Sequence, residues 1–155
     1  MQPTQKYYEA NAYRREADAL ILAAEPDGRG GGKLALDGTV FYPEGGGQPA
    51  DHGTLTLPDG ARLTVTDVHE QGGVIWHRVD ALPDTAAPGT AVTGRIDWEW
   101  RFDKMQQHTG EHILSGILHQ MFGAENVGFH IGSDAVRMDT SVPISAEGLR
   151  EAELA

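Results

Sequence analysis

The stretch Val92-Thr93-Gly94-Arg95-Ile96-Asp97-Trp98 alternates with period two, and from Asp103 to Phe122 the period becomes helical. In the first part Val92, Gly94, Ile96 and Trp98 share one face, as in a half-buried strand. In the second, Leu114, Ile117, Leu118 and Met121 recur at i, i+3, i+4 and i+7, an apolar helix stripe. The switch falls near Trp98–Arg101 and divides the chain into a β part, residues 1–98, and an α+β part, residues 99–155. Asp103 with Gln106 fits a capping-box start for the helix. Gly123 suits the position just past its end.

Upstream, the punctuation is that of a small barrel or sandwich. Lys33–Tyr42 holds two strand-like stretches around Asp37-Gly38, a hairpin dipeptide. Thr54–Leu57 and Leu63–Val68 flank Pro58-Asp59-Gly60, in which proline presets φ and glycine supplies a positive one. Gly72-Gly73 separates Leu63–Val68 from Val74–Val79. Ala19–Ala23 is a short apolar run, and Arg14–Leu20 is expected to form a short helix. Downstream, Asn126–Ile131 and Ala135–Thr140 read as strands or turns. Ser145 is placed to cap a second helix through Leu149 and Leu154. That helical pattern stops within three turns, so the chain is expected to end inside an element.

The 155 residues include no cysteine and carry 23 acidic against 12 basic side chains, a net charge of −11. A disulfide framework and thiolate-ligated metal are thereby excluded within these residues. With 39% apolar and 23% charged residues the composition is globular. No apolar run approaches the ~18 residues of a membrane span, and Met1–Arg15 has no apolar core of a secretory signal. The cytosol is the expected compartment. Neither part is basic, so any nucleic-acid role must rest on a local site rather than on a general charge field.

Two stretches can carry chemistry. In Gln106-Gln107-His108-Thr109-Gly110-Glu111-His112 the histidines stand at i and i+4, about 40° apart on one helix face. Both imidazoles can reach one ion at the ~2.0–2.1 Å of a zinc–nitrogen bond. Thr109 and Glu111 flank the pair. Gly110 points away, and its cost of roughly 1 kcal/mol in a helix interior suggests close packing behind it. Two histidines on a polar helix face are also common without any ligand, and a zinc site needs further ligands. His119 lies roughly 10 Å along the axis, too far to share the ion. His130 can approach from the following strand. His52, His69 and His77 read as surface or strand-face histidines.

The second stretch is Tyr42-Pro43-Glu44-Gly45-Gly46-Gly47-Gln48-Pro49-Ala50-Asp51-His52-Gly53. Three consecutive glycines permit positive φ and a close backbone approach, and their N–H groups can form an anion-binding nest. No Lys-Ser/Thr follows, so this is not a P-loop. Glycine count alone favours a flexible connection between strands.

Taken in order, Phe41 to Gly53, then His108-Thr109-Gly110-Glu111-His112, then Asn126-Val127-Gly128-Phe129-His130-Ile131-Gly132 resemble the AlaX family of free-standing alanyl-tRNA editing proteins. The resemblance covers most of the chain. It implies an α+β fold: a small translation-protein-type β-barrel over 1–98, with its glycine-rich loop at 44–53, and the N-terminal part of an editing domain over 99–155. It implies hydrolysis of the ester of mischarged Ser-tRNA(Ala) or Gly-tRNA(Ala), with the 3′ aminoacyl end of tRNA(Ala) as partner. Zinc would be held by His108 and His112 together with a later Cys-x-x-x-His, expected beyond residue 155. Gly45, Gly46, Gly47 and Gln48 would lie near the mouth of the site. Thr109, Glu111 and His130 are the candidate catalytic residues: Thr109 and His130 for contacts to the amino acid or water, Glu111 for proton transfer. His130-Ile131-Gly132-Ser133 matches a Gln-x-Gly-Ser segment of the synthetases, with histidine in the glutamine position. Val136-Arg137-Met138-Asp139 matches their Leu-Arg-Phe-Asp.

The missing Cys-x-x-x-His has two explanations at this point, a shortened chain or a member that binds no metal. Two other readings stay open. His108-Thr109-Gly110-Glu111-His112 also satisfies the H-x-x-E-H pattern of a metalloprotease with glutamate as general base. A non-catalytic binding module is the other.

Overall fold

A computed structural model describes all 155 residues. The elements run β1 (Gln5–Lys6), α1 (Tyr7–Ala10), β2 (Glu16–Pro26), β3 (Gly32–Leu36), β4 (Gly38–Thr39), β5 (Gly53–Thr56), β6 (Arg62–Gln71), β7 (Val74–Val79), β8 (Ala91–Ile96), α2 (Trp98–Phe122), β9 (Asn126–Ile131), β10 (Val136–Thr140) and α3 (Ala146–Glu153). They fall into two compact units. Met1–Gly45 with Ala50–Arg101 forms the first, and Gly46–Pro49 with Phe102–Ala155 the second. The class is α+β, as expected.

In the first unit six antiparallel strands close into a barrel in the order β2-β3-β7-β6-β5-β8. Closure leaves no unpaired sheet edge. The alternating residues of each strand point inward, and Leu34, Leu36, Leu55, Leu63, Val65, Ile75, Val92 and Ile96 are buried with Phe41 as one core. Leu57 and Ala61 close the β5–β6 hairpin around Pro58-Asp59-Gly60 with a 2.9 Å backbone bond. Gly72 and Gly73, both at positive φ (60° and 81°), make the tight β6–β7 turn. Two adjacent positive φ values match the twist of the flanking strands.

Three local expectations are corrected. Arg14–Leu20 is not a helix: from Glu16 it is β2, because the pairing of Glu16–Leu20 with β8 outweighs its weak helical preference. Asp37-Gly38 is not a hairpin turn, since β3 pairs with β2 and β7 while β4 runs parallel to β1. There the Asp37 carboxylate instead accepts the Leu20 N–H at 2.7 Å, and a Cβ on Gly38 would lie 2.4 Å from the Tyr7 hydroxyl. Trp98 is not the end of a strand but the first residue of α2. Asp97 caps that helix, its carboxylate accepting the Trp100 N–H at 3.2 Å, six residues before the expected cap at Asp103.

Arg101 and Asp51 lie deep in the first unit. The guanidinium reaches the Val40 carbonyl at 2.8 Å and the Ala12 carbonyl at 3.0 Å. It forks onto both oxygens of Asp51, whose carboxylate also accepts the Tyr42 N–H at 2.7 Å. The base of the glycine-rich stretch is held by this cluster and by the Asp51 N–H to Tyr42 carbonyl bond of 2.9 Å. Burial keeps the Tyr42 phenol above its ordinary pKa, and the phenol donates to the Gly45 carbonyl at 3.2 Å.

The second unit consists of α2 beyond Arg101, the β9–β10 hairpin, α3 and the loop tip Gly46–Pro49. Its core is small: Leu118, Ala124 and Ala152, with Ile117, Met138 and Ile144 packed against them. Of the predicted stripe on α2 only Leu118 is fully buried. Leu114 and Met121 are each 38% exposed. Gly123 ends the helix at φ 64°, its N–H bonding the His119 carbonyl at 2.9 Å. Ser145 caps α3 by accepting the Gly148 N–H at 3.0 Å. The expected packing behind Gly110 is absent, for an added Cβ would meet nothing within 4 Å. No helix is long and apolar enough to cross a membrane.

Candidate metal centre and loop tip

Helical spacing puts His108 and His112 on successive turns of α2, and their rings stack at 4.9 Å with 21° between planes. Each imidazole has a neighbour on Nδ1. For His108 it is the side-chain oxygen of Gln48, 2.9 Å away. Amide oxygen can only accept, so His108 Nδ1 carries the proton and Nε2 keeps its lone pair. For His112 the neighbour is Glu111 Oε2, at 3.4 Å.

Glu111 is buried to 2% of its side chain, while the His112 side chain is 72% exposed. A buried carboxylate needs donors. Here Ser115 Oγ and the Asn126 amide both donate to Oε1. Asn126 is itself fixed by accepting the Gly128 N–H at 3.0 Å. Ser115, one turn on, was legible from helical spacing. Asn126 was not, because nothing local ties it to α2.

The glycine-rich tip reaches this site through Gly47 and Gln48. Gly47 has φ 79°, and a Cβ there would lie 2.4 Å from the Phe129 ring. Its carbonyl accepts the Ile131 N–H at 2.9 Å. That bond seats the tip on β9, with Phe129 5.2 Å from the His108 ring. Gln48 is buried, 5% exposed. A Cβ on Gly46 would stand 3.8 Å from His108 Cε1.

Candidate ligand atoms of His108, Glu111 and His112 all lie within 4.8 Å of one another. Two imidazoles and a carboxylate suit a borderline ion such as zinc, and a partner on Nδ1 is the usual way of orienting a ligating histidine. The free Nε2 of His108 therefore fits such a group. Thr109 is exposed on α2. His130 is exposed on β9, where the covered positions are its neighbours Phe129 and Ile131, and it is not among the clustered ligand atoms. His119 is exposed and lies 3.2 Å from Glu125. His77, expected on a surface or strand face, is fully buried on β7. Gly45 belongs to the first unit.

A family model described as tRNA synthetases class II (A) matches residues 12–100, and the chain belongs to that family. Within it, the AlaX resemblance holds. The chain is 35% identical over 150 residues to the alanyl-tRNA editing protein AlaX-L of Pyrococcus horikoshii, covering 97% of this chain and 37% of that protein. It is 34% identical over 144 residues to AlaX-M of Methanosarcina barkeri, covering 91% and 58%. It is 41% identical over 151 residues to the alanine–tRNA ligase of Pyrococcus furiosus, covering 95% and 16%. The chain thus spans less than two thirds of the length of each of these relatives.

Proposed function

We propose that the chain carries part of an aminoacyl-tRNA deacylase site that clears serine or glycine from mischarged tRNA(Ala). The observation that carries this reading is the bond from His108 to Gln48, which joins the two stretches singled out by their chemistry in one unit. The named editing relatives support the same class of reaction.

In this reading His108 and His112 hold zinc, with further ligands from a Cys-x-x-x-His outside the present sequence. Zinc, when bound, supplies Lewis acidity toward the ester carbonyl or an attacking water. Gln48 fixes the tautomer of His108, and Glu111 orients His112. Gly46 leaves space beside His108 for the aminoacyl group, Gly47 seats the tip against Phe129, and Thr109 and His130 contact the amino acid or water. An aminoacyl ester is already activated, so placing its carbonyl and a water accounts for much of the catalysis required. Glu111 is committed to Ser115 and Asn126, which weighs against a protease general base at this position.

The test is serine release from Ser-tRNA(Ala) by the full-length protein, beside its His108→Ala and His112→Ala variants. Loss of release in both variants is expected. Full activity in both would overturn the assignment.

A further inference from the structure

The outer face of β8, β5 and β6 holds a cavity of about 540 Å³ that the site above does not use. It follows from the register of three neighbouring strands. Arg95 stands beside Thr54, and Thr54 beside Thr64, so outward side chains of β8, β5 and β6 line up in one row. Thr66 lies on the same wall, and His52 and Asp97 line the end nearest α2. His52 is stacked on Trp100 with centroids 4.4 Å apart and 19° between planes. The Trp100 indole is itself held by the Ala50 carbonyl at 2.9 Å. Arg95 is exposed and forms no ion pair or hydrogen bond through its side chain.

These groups share one chemistry. A free guanidinium and a row of hydroxyls suit the oxygens of a phosphodiester and its sugar. The His52 imidazole, backed by Trp100, offers a π-face for a base at one end. The Asp97 carboxylate, beside that stack, repels a phosphate but accepts from a ribose hydroxyl. With a net charge of −11 over these residues, contact with RNA in this part of the protein rests on a local site of this kind rather than on a general field.

We propose that this cavity on the barrel binds the sugar–phosphate backbone of the tRNA, with Arg95 on a phosphate and His52 under a base. The proposal rests on the deacylase reading for the identity of the RNA, and it assigns RNA binding to the barrel rather than to the histidine site.

The experiment is fluorescence anisotropy of labelled, uncharged tRNA(Ala) with the full-length protein, titrated at several salt concentrations. Arg95→Glu is expected to weaken binding about tenfold or more, and Arg95→Ala to make the dependence of log K on log salt shallower by about one. Thr66→Glu, which places an anion on the same wall, should weaken binding without touching Arg95. Arg29→Glu, a charge reversal at an exposed turn, should leave it unchanged. Absence of tRNA binding by the wild type, or equal losses in Arg29→Glu and Arg95→Glu, would overturn the proposal. Hydrolysis of a seryl ester of adenosine, which has no strand for the cavity to hold, tests the deacylase reading separately. That reading can fail while the binding result stands, and the reverse.

Discussion

Arg101 and Asp51 form a forked ion pair that is almost wholly buried, at 2% and 1% side-chain exposure. The pair ties the first turn of α2 to the return of the glycine-rich stretch. Burial raises the Asp51 carboxyl above its ordinary pKa, and the guanidinium opposes that rise. Replacing one partner strands the other without compensation. Arg101→Met or Asp51→Leu should therefore cost about 3–5 kcal/mol of stability. The double replacement should recover part of that loss. Urea denaturation of all three variants checks this, and additive losses would show that the pair is not coupled.

His77 gives a pH dependence with a definite sign. Its Nδ1 lies 3.1 Å from the Leu34 carbonyl, and Nε2 accepts from the Thr39 hydroxyl at 2.8 Å. Burial lowers its pKa from 6.5 to about 4. Between those values the unfolded chain binds the proton and the folded chain does not, so stability is full above pH 6.5 and falls as pH drops toward 4. The loss is on the order of 3 kcal/mol. Chemical denaturation at intervals across this window should show the slope, and His77→Gln should flatten it.

Gln48→Leu removes the acceptor on His108 Nδ1 while keeping side-chain volume. Loss of such an orienting partner costs about 10–100-fold in metal affinity or activity. The expected result is weaker zinc binding by the full-length protein in chelator competition, with a mixed His108 tautomer in its ¹⁵N spectrum. Gln48→Glu, which keeps an acceptor, should retain the single tautomer.

Glu111→Gln separates orientation from proton transfer. The amide still accepts from Ser115 or Asn126 in the same volume, so serine release should fall only about tenfold. A general base against an unactivated amide would show a larger loss, of about 10²–10⁴-fold. Cleavage of peptides that vanishes with Glu111→Gln, without tRNA deacylation, would identify a protease instead.

Two glycines should respond in opposite directions. Gly110→Ala meets open space in a helix interior and should stabilise by about 1 kcal/mol. Gly47→Val meets the Phe129 ring and a left-handed backbone at once, so the loop tip should detach from β9. Hydrogen exchange at the Ile131 amide reads that detachment directly.

Local chemistry made much of this legible. Pro58-Asp59-Gly60, Gly72-Gly73, Gly123 and Ser145 each perform the local role their type suggests, because turns and caps depend on near neighbours. The histidine pair was equally visible, since helical spacing alone brings it together. What failed depended on distant partners. Asp37-Gly38 looks like a hairpin turn until Tyr7 and Leu20 occupy its surroundings. Arg14–Leu20 takes its conformation from β8. The start of α2 was obscured because its first turn is aromatic and had matched the preceding strand's alternation. Gln48 sits in the glycine-rich stretch, yet its contact with His108 spans 60 residues and no periodicity announces it.

The excursion of Gly46–Pro49 from the first unit into the second bears on how the gene can be cut. A clone beginning at Phe102 would encode both histidines, the hairpin and the last helix, and would look from its boundaries like a complete module. It would lack the glutamine that sets the His108 tautomer and the glycine carbonyl that receives the Ile131 amide. Fragment libraries and domain grafts should accordingly carry residues 46–49 along with the helix, by permuting the chain or by supplying the loop as a peptide in trans.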